Sequence, residues 1–431
     1  MRPAKPAATL SRRAFAAIML AAAGAPLLAL REGGCEAAAG DAAPRPFKVD
    51  IPQATIDRIL LRVREAQWPQ RLDAGDWRYG ADWDYMKSLA QYWVDQFDWR
   101  KAEAGLNRYP QFVSRVGDFD IHFYHVRGRG PKPMPLILTH GWPSSVFEFL
   151  EAIGPLTDPA SFGGPADDAF DVVIPSLPGF GFSSKPKGKP VGAPTTAALW
   201  NRLMTEVLGY TRYGAQGGDV GSVVMAQLAR QFPEQLVGVH FNGIPLLGPL
   251  PPEQERTAEE QAWAKKFSDY IATERDYFNE QQHKPQTIGF PLADSPLGTA
   301  AWIVEKLKAW SDSDHEQEPA FSRDQVLANI MIYLVTNSID TSVWFFRGYI
   351  EDQNPAGQGA RGTPPGRIAV PTGKVSLPRE APPLDPPQSL IARYYNLVRY
   401  TKLPRGGHFA FWEQPLPMVS DVREFFRALR S

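Results

Sequence analysis

The sequence holds one cysteine, Cys35, so no internal disulfide framework can form and a four-cysteine zinc site is excluded. Net charge is almost absent as well: 46 Lys and Arg face 47 Asp and Glu, a formal −1. A general electrostatic grip on nucleic acid is therefore not expected. No repeat of fixed period and no long block of like charge occurs. No dinucleotide fingerprint, phosphate loop or metal-ligand cluster is visible, so neither a cofactor nor a metal is expected. Proline, by contrast, is plentiful: 41 of 431 residues, against a usual share of about 5%. Rigid loops between elements follow from that excess. With 43% hydrophobic, 22% charged and 12% aromatic residues, the composition is that of a folded globular protein.

The first forty residues have the form of an address. Arg2, Lys5, Arg12 and Arg13 precede an uncharged run from Ala14 to Leu30, and small residues follow. This is the order of a secretory signal, and Ser11-Arg12-Arg13-Ala14-Phe15 adds a twin-arginine pattern. The expectation is export to the periplasm or the medium, cleavage of residues 1–40 and no stable membrane anchor afterwards. Cleavage would remove five of the cations, two of the acids and the one cysteine. A thiol-free mature chain suits an oxidising compartment.

Beyond the leader the periodicity alternates. Ile56, Ile59, Leu60 and Val63 repeat at helical spacing, as do Met86, Leu89, Tyr92, Trp93 and Phe97. Asp120 to Val126 alternates as a half-buried strand. Short apolar runs at 136–139, 171–175, 214–216, 237–241, 367–370 and 397–400 read as buried strands separated by helical stretches. That rhythm predicts a mostly parallel sheet with crossover helices. Residues 246–355 interrupt it with helical, Trp- and Tyr-rich sequence, as an inserted lid would. The eight prolines of residues 363–387 predict a long, stiff loop system there, and a last helix is expected from about 417 to 429.

Three constellations carry chemistry. Gly217-Gly218-Asp219-Val220-Gly221 stands after a strand and before a helix, with the spacing of a nucleophile elbow and aspartate in the usual place of serine. An ordinary helix-capping aspartate would explain a lone motif equally well, but no G-x-S-x-G competes with it anywhere in the chain. His140-Gly141-Trp142-Pro143 leaves the strand at 136–139, where a hydrolase of this architecture takes one oxyanion N–H, here from Trp142. The other would come from Val220; the structural reading of His140 itself is a brace for the loop. Arg405-Gly406-Gly407-His408-Phe409 places a histidine past the last strand, where a general base belongs. His122, His125, His240, His283 and His315 are read as structural.

With these motifs in this order, the chain resembles epoxide hydrolases of the microsomal and juvenile-hormone type, over roughly residues 46–430. Further likeness lies in Phe47-Lys48-Val49-Asp50-Ile51-Pro52, Gln67-Trp68-Pro69, Tyr92-Trp93, Phe97-Asp98-Trp99-Arg100, Leu106-Asn107, Pro110-Gln111-Phe112, Pro178-Gly179-Phe180-Gly181-Phe182-Ser183 and Asp294-Ser295-Pro296. The resemblance implies an α/β-hydrolase fold with an eight-stranded, mostly parallel sheet and a helical lid. It divides the chain into a signal (1–40), an N-terminal wrapping region (46–130), a first core part (131–245), the lid (246–355) and a second core part (356–431). It places the nucleophile at Asp219, the base at His408, the orienting acid at Glu380 with Asp385 as competitor, and a lid phenol at Tyr277. Partners would be a small hydrophobic epoxide and water, without nucleic acid; a homo-oligomer is compatible with the reading.

Two positions depart from the family pattern. Phe346 falls where a second lid tyrosine is expected, leaving Tyr349, or less readily Tyr333, as the substitute hydroxyl. Val220 replaces the tryptophan with which dehalogenases generally hold the departing halide. Phe346, Tyr349 and Phe180 are the expected substrate contacts, with Trp302, Trp344 and Phe345 as further wall candidates. Two other readings share these residues: an aspartate-nucleophile dehalogenase, and a binding protein without turnover.

Overall fold

A computed structural model describes residues 43–72, 77–313, 318–353 and 366–430. The proposed leader and Cys35 lie outside them. Among the described residues nine strands form one sheet. They are β1 (Arg45–Phe47), β2 (Gln111–Val116), β3 (Phe119–Val126), β4 (Met134–Thr139), β5 (Phe170–Pro175), β6 (Tyr213–Gly217), β7 (Leu236–Phe241), β8 (Ile368–Ser376) and β9 (Tyr395–Lys402), in the spatial order β1-β2-β3-β5-β4-β6-β7-β8-β9. From β5 through β9 the pairs are parallel, and β1, β2 and β3 join antiparallel at the other end. All residues of β5 and β6 are buried, as expected of strands covered by helices on both faces.

The strand count is nine where eight were expected. The short β1 pairs Arg45 with Val113, and β2 reads in sequence only as the flank of Pro110-Gln111-Phe112. A second correction concerns the proline-rich stretch, which is not loop throughout. β8 runs through it for nine residues and includes Pro371. The pairing with β9 shifts register between Ile368 and Pro371, and an irregularity of that kind is where a residue without an N–H is tolerated in a sheet.

The segment between β7 and β8 contains six α-helices among the described residues, starting at Ala258 and ending at Gln353. Thr257 and Ser322 begin two of them with capping boxes, each satisfying two otherwise orphaned N–H groups. The last helix, Pro415–Arg427, lays Met418, Val419, Val422, Phe425 and Phe426 against the sheet. Between β1 and β2, helices Gln53–Arg64 and Trp83–Asp95 bury Ile56, Ile59, Val63, Leu89 and Trp93. Asn107 clamps the entering chain by exchanging hydrogen bonds with both backbone groups of Val49, at 2.9 and 2.8 Å. The Tyr92 hydroxyl reaches Asp324 on a lid helix at 2.8 Å, so this region touches the lid directly. No single helix among the described residues is long and apolar enough to cross a membrane.

Candidate active site

β6 ends at Gly217, and the helix Asp219–Gln231 begins two residues later. Asp219 makes the turn with φ 48°, a backbone region that non-glycine residues seldom occupy and that marks a functional constraint. The glycines around it are steric necessities. A Cβ on Gly221 would lie 2.1 Å from the Thr139 carbonyl, and one on Gly141 would lie 2.4 Å from Asp219 Oδ1. The helix start and the loop after β4 can approach this closely only because both side chains are missing.

That loop supplies the first partner of the carboxylate. The Trp142 N–H donates to Asp219 Oδ1 at 2.7 Å. Val220 is the second residue of the helix, where backbone N–H groups have no acceptor one turn back, and it lines the same cavity. His140 is buried and accepts from the Leu177 N–H at 3.2 Å. Burial pushes its pKa down to about 4, so the ring is neutral and braces the loop.

His408 faces the other carboxylate oxygen, with Nε2 3.4 Å from Asp219 Oδ2. Its Nδ1 lies 2.6 Å from Glu380 Oε1. Glu380 is held in turn by the Ala381 N–H at 2.8 Å. Burial alone would disfavour a charged imidazole, but the two carboxylates outweigh it and raise the His408 pKa well above the ordinary value. Asp385 is engaged elsewhere: it pairs with the fully buried Lys374 at 2.8 Å and accepts from Ser376 at 2.9 Å. The orienting position therefore belongs to Glu380. The His408 backbone N–H donates to the Trp310 carbonyl at 2.9 Å, so the end of a lid helix fixes the histidine loop.

Over this floor lies a cavity of about 430 Å³ whose walls include Leu246, Leu250, Phe267, Ile271, Phe278 and Phe345. Tyr277 enters it from helix Asp276–His283. Its ring stacks on Trp142 at 5.6 Å and 11°, meets Trp310 edge-on at 5.2 Å, and lies 4.6 Å under the Lys306 ammonium. Such a frame of ring contacts and a buried cation fixes a phenol's direction. Phe346 stands beside it, edge-on to Trp142 at 6.0 Å and to Phe278 at 5.2 Å.

The expected residues are thus brought together with some exceptions. Phe180 is buried away from the cavity wall, packed edge-on against His140 at 5.5 Å and near Tyr333. It supports the loop that carries Trp142, and the expected substrate contact is corrected accordingly. Trp302 and Trp344 are likewise absent from the wall, and the Trp302 indole donates to Gln281 at 3.0 Å. The Tyr333 hydroxyl is committed to the Ser144 carbonyl at 2.5 Å. Tyr349 lines the cavity, but its charged and polar neighbours are Arg230 and Tyr395.

One residue escaped the sequence reading. Tyr270, on helix Ala258–Thr273, lines the cavity together with Asp219, Tyr277 and His408. Its hydroxyl interacts with that of Tyr277, and the Asp219 charge acts on both. A signal for it was present: Trp263, Phe267, Tyr270 and Ile271 follow helical spacing, and all four line the cavity.

Residues 44–149 match the family model described as epoxide hydrolase N terminus, and residues 134–331 match that of the alpha/beta hydrolase fold. A protein of Stigmatella aurantiaca provisionally named an epoxide hydrolase is 41% identical over 90% of this chain and 85% of its own length. Epoxide hydrolase 1 of Oryctolagus cuniculus is 34% identical over 89% of each chain. The solved epoxide hydrolase of Aspergillus niger superposes with a TM-score of 0.78 at 28% identity, covering 91% of this chain and 98% of the other. On this geometry and these likenesses, the chain belongs to the epoxide hydrolase family.

Proposed function

We propose that the protein converts a small apolar epoxide to a vicinal diol through an ester formed on Asp219. The observation that carries this reading is the division of labour at the carboxylate. Oδ1 is held by the Trp142 N–H, while Oδ2 has His408 Nε2 3.4 Å away and Asp219 lines the cavity. A carboxylate so held can attack a strained ring carbon from behind. The new bond joins Oδ2 to carbon, the ring C–O bond breaks, and a lid phenol gives its proton to the departing oxygen.

Hydrolysis then occurs at the Asp219 carbonyl carbon. Esterification removes one of the two negative charges that keep His408 protonated, so the imidazole returns the missing proton to the phenolate and becomes a base. It takes a proton from water, whose oxygen attacks the carbonyl. The oxyanion forms on Oδ1, already seated on the Trp142 N–H and near the start of the helix. Collapse releases the diol, with His408 giving the alkoxide its proton and then accepting that of Asp219. The starting ion pair is restored. An apolar cavity of this size suits a compact hydrophobic epoxide.

Mass spectrometry with styrene oxide tests the reading. Wild type should form diol, and His408→Gln should retain one epoxide mass on the Asp219 peptide. Diol formation with no adduct on Asp219 in the variant would overturn it. We further propose export through the twin-arginine leader, on the strength of Arg12-Arg13 and the apolar run after it. The N-terminal sequence of protein recovered from the periplasm or medium would then begin near residue 40; intact protein confined to the cytoplasm would refute this.

A further inference from the structure

The family pattern asks for two lid hydroxyls, and Phe346 removes one of them. Three tyrosines other than Tyr277 lie close enough to consider, and the structure separates them. Tyr333 spends its hydroxyl on the Ser144 carbonyl. Tyr349 also lines the cavity, but its charged and polar neighbours are Arg230 and Tyr395. Tyr270 alone of the three lines the cavity and also interacts through its hydroxyl with Tyr277. The helix Ala258–Thr273 is capped at Glu274, and the next helix begins at Asp276. That break lets residues seven apart in sequence present their phenols to the same space.

We propose that Tyr270 is the second acid of the lid, acting with Tyr277 on the epoxide oxygen in place of the hydroxyl that Phe346 lacks. This rests on the ester mechanism proposed above. As Asp219 Oδ2 bonds to the ring carbon and the ring C–O bond breaks, one phenol transfers its proton to the oxygen. The phenolate left behind accepts a hydrogen bond from the other phenol, which disperses the charge in a site poor in water. Burial makes both phenols harder to ionise than in water, so the proton leaves only as negative charge develops on the epoxide oxygen.

The test measures adduct formation by rapid quench and mass spectrometry in the His408→Gln background, where the ester accumulates. Tyr270→Phe should slow ester formation about 10²-fold, as loss of a general acid does. Tyr277→Phe should slow it similarly, and the double variant should be far slower than either. Adding Phe346→Tyr to Tyr270→Phe should recover part of the lost rate. If Tyr270 only orients Tyr277, the double variant will be no slower than Tyr277→Phe alone, and Phe346→Tyr will rescue nothing; either result overturns the proposal. Unchanged ester formation in Tyr270→Phe would do so too. Failure of the ester mechanism would look different: no adduct on Asp219 even with both phenols intact.

Discussion

The floor and the roof of the cavity are built by different means. On the floor, Asp219, Glu380 and His408 follow the ends of strands, and both Asp219 carboxylate oxygens, both His408 ring nitrogens and Glu380 Oε1 have partners within a few ångströms. The roof is made of helices, and most of what it offers is aromatic surface. Its phenol Tyr277 is positioned by ring packing and a buried lysine. The difference teaches where tolerance should lie. A floor that depends on close backbone approach cannot absorb even a methyl group, whereas a roof that depends on apolar area can change shape and still enclose a substrate.

The sharpest test of that contrast is Gly141→Ala. Its Cβ would meet Asp219 Oδ1 at 2.4 Å, displacing either the carboxylate or the Trp142 N–H. Losing one oxyanion donor lowers kcat about 10²–10³-fold, and steady-state turnover of styrene oxide by folded variant should show a loss of this size. A merely twofold change would mean that the floor is not rigid.

The next effect concerns stability. Glu148 lies under the floor, accepts from Ser144 at 2.8 Å, and is pushed up by burial to about 7. Its folded pKa exceeds the ordinary 4.5, so the folded state binds more protons between those values. The contribution to stability is complete below pH 4.5 and is lost as pH rises toward 7. Glu148→Gln, uncharged throughout, should gain on wild type by about 3 kcal/mol between pH 4.5 and 8. Urea midpoints at the two pH values measure this; parallel curves would contradict the assignment.

The smallest effect belongs to the roof. Phe267→Ala removes apolar wall without touching the reacting atoms. KM should rise about tenfold, the worth of a modest loss of buried area, while the rate of ester formation at saturation stays near wild type. A fall in that rate with KM unchanged would erase the distinction between wall and machinery.

The same contrast explains what could be read in the sequence. Strands β4 to β7 were legible because burial on both faces leaves continuous apolar runs, and the elbow was legible because its geometry admits only glycine at fixed offsets. β1 was invisible: three residues, Arg45–Phe47, carry no period. The start of β8 was legible at 367–370, and its continuation to Ser376 was hidden by Pro371, which ordinarily argues against a strand. Glu380 and Asp385 could not be separated by spacing, since the decision lies in Lys374, which is distant from neither and buried beside only one. Phe180 looked like cavity wall because aromaticity does not say which way a side chain points. Tyr270 was missed for the same reason in reverse: a helical stripe shows that residues share a face, and only the folded chain shows that this face lines the cavity with Asp219.

The central claim is that the Asp219 carboxylate, and not water, opens the ring. A single turnover with enzyme in excess, run in water carrying heavy oxygen, tests it most directly. The account predicts that the label enters the Asp219 side chain, detected in its peptide, while the diol of the first turnover carries unlabelled oxygen from that carboxylate. Label in the first-turnover diol, with Asp219 unlabelled, would contradict it.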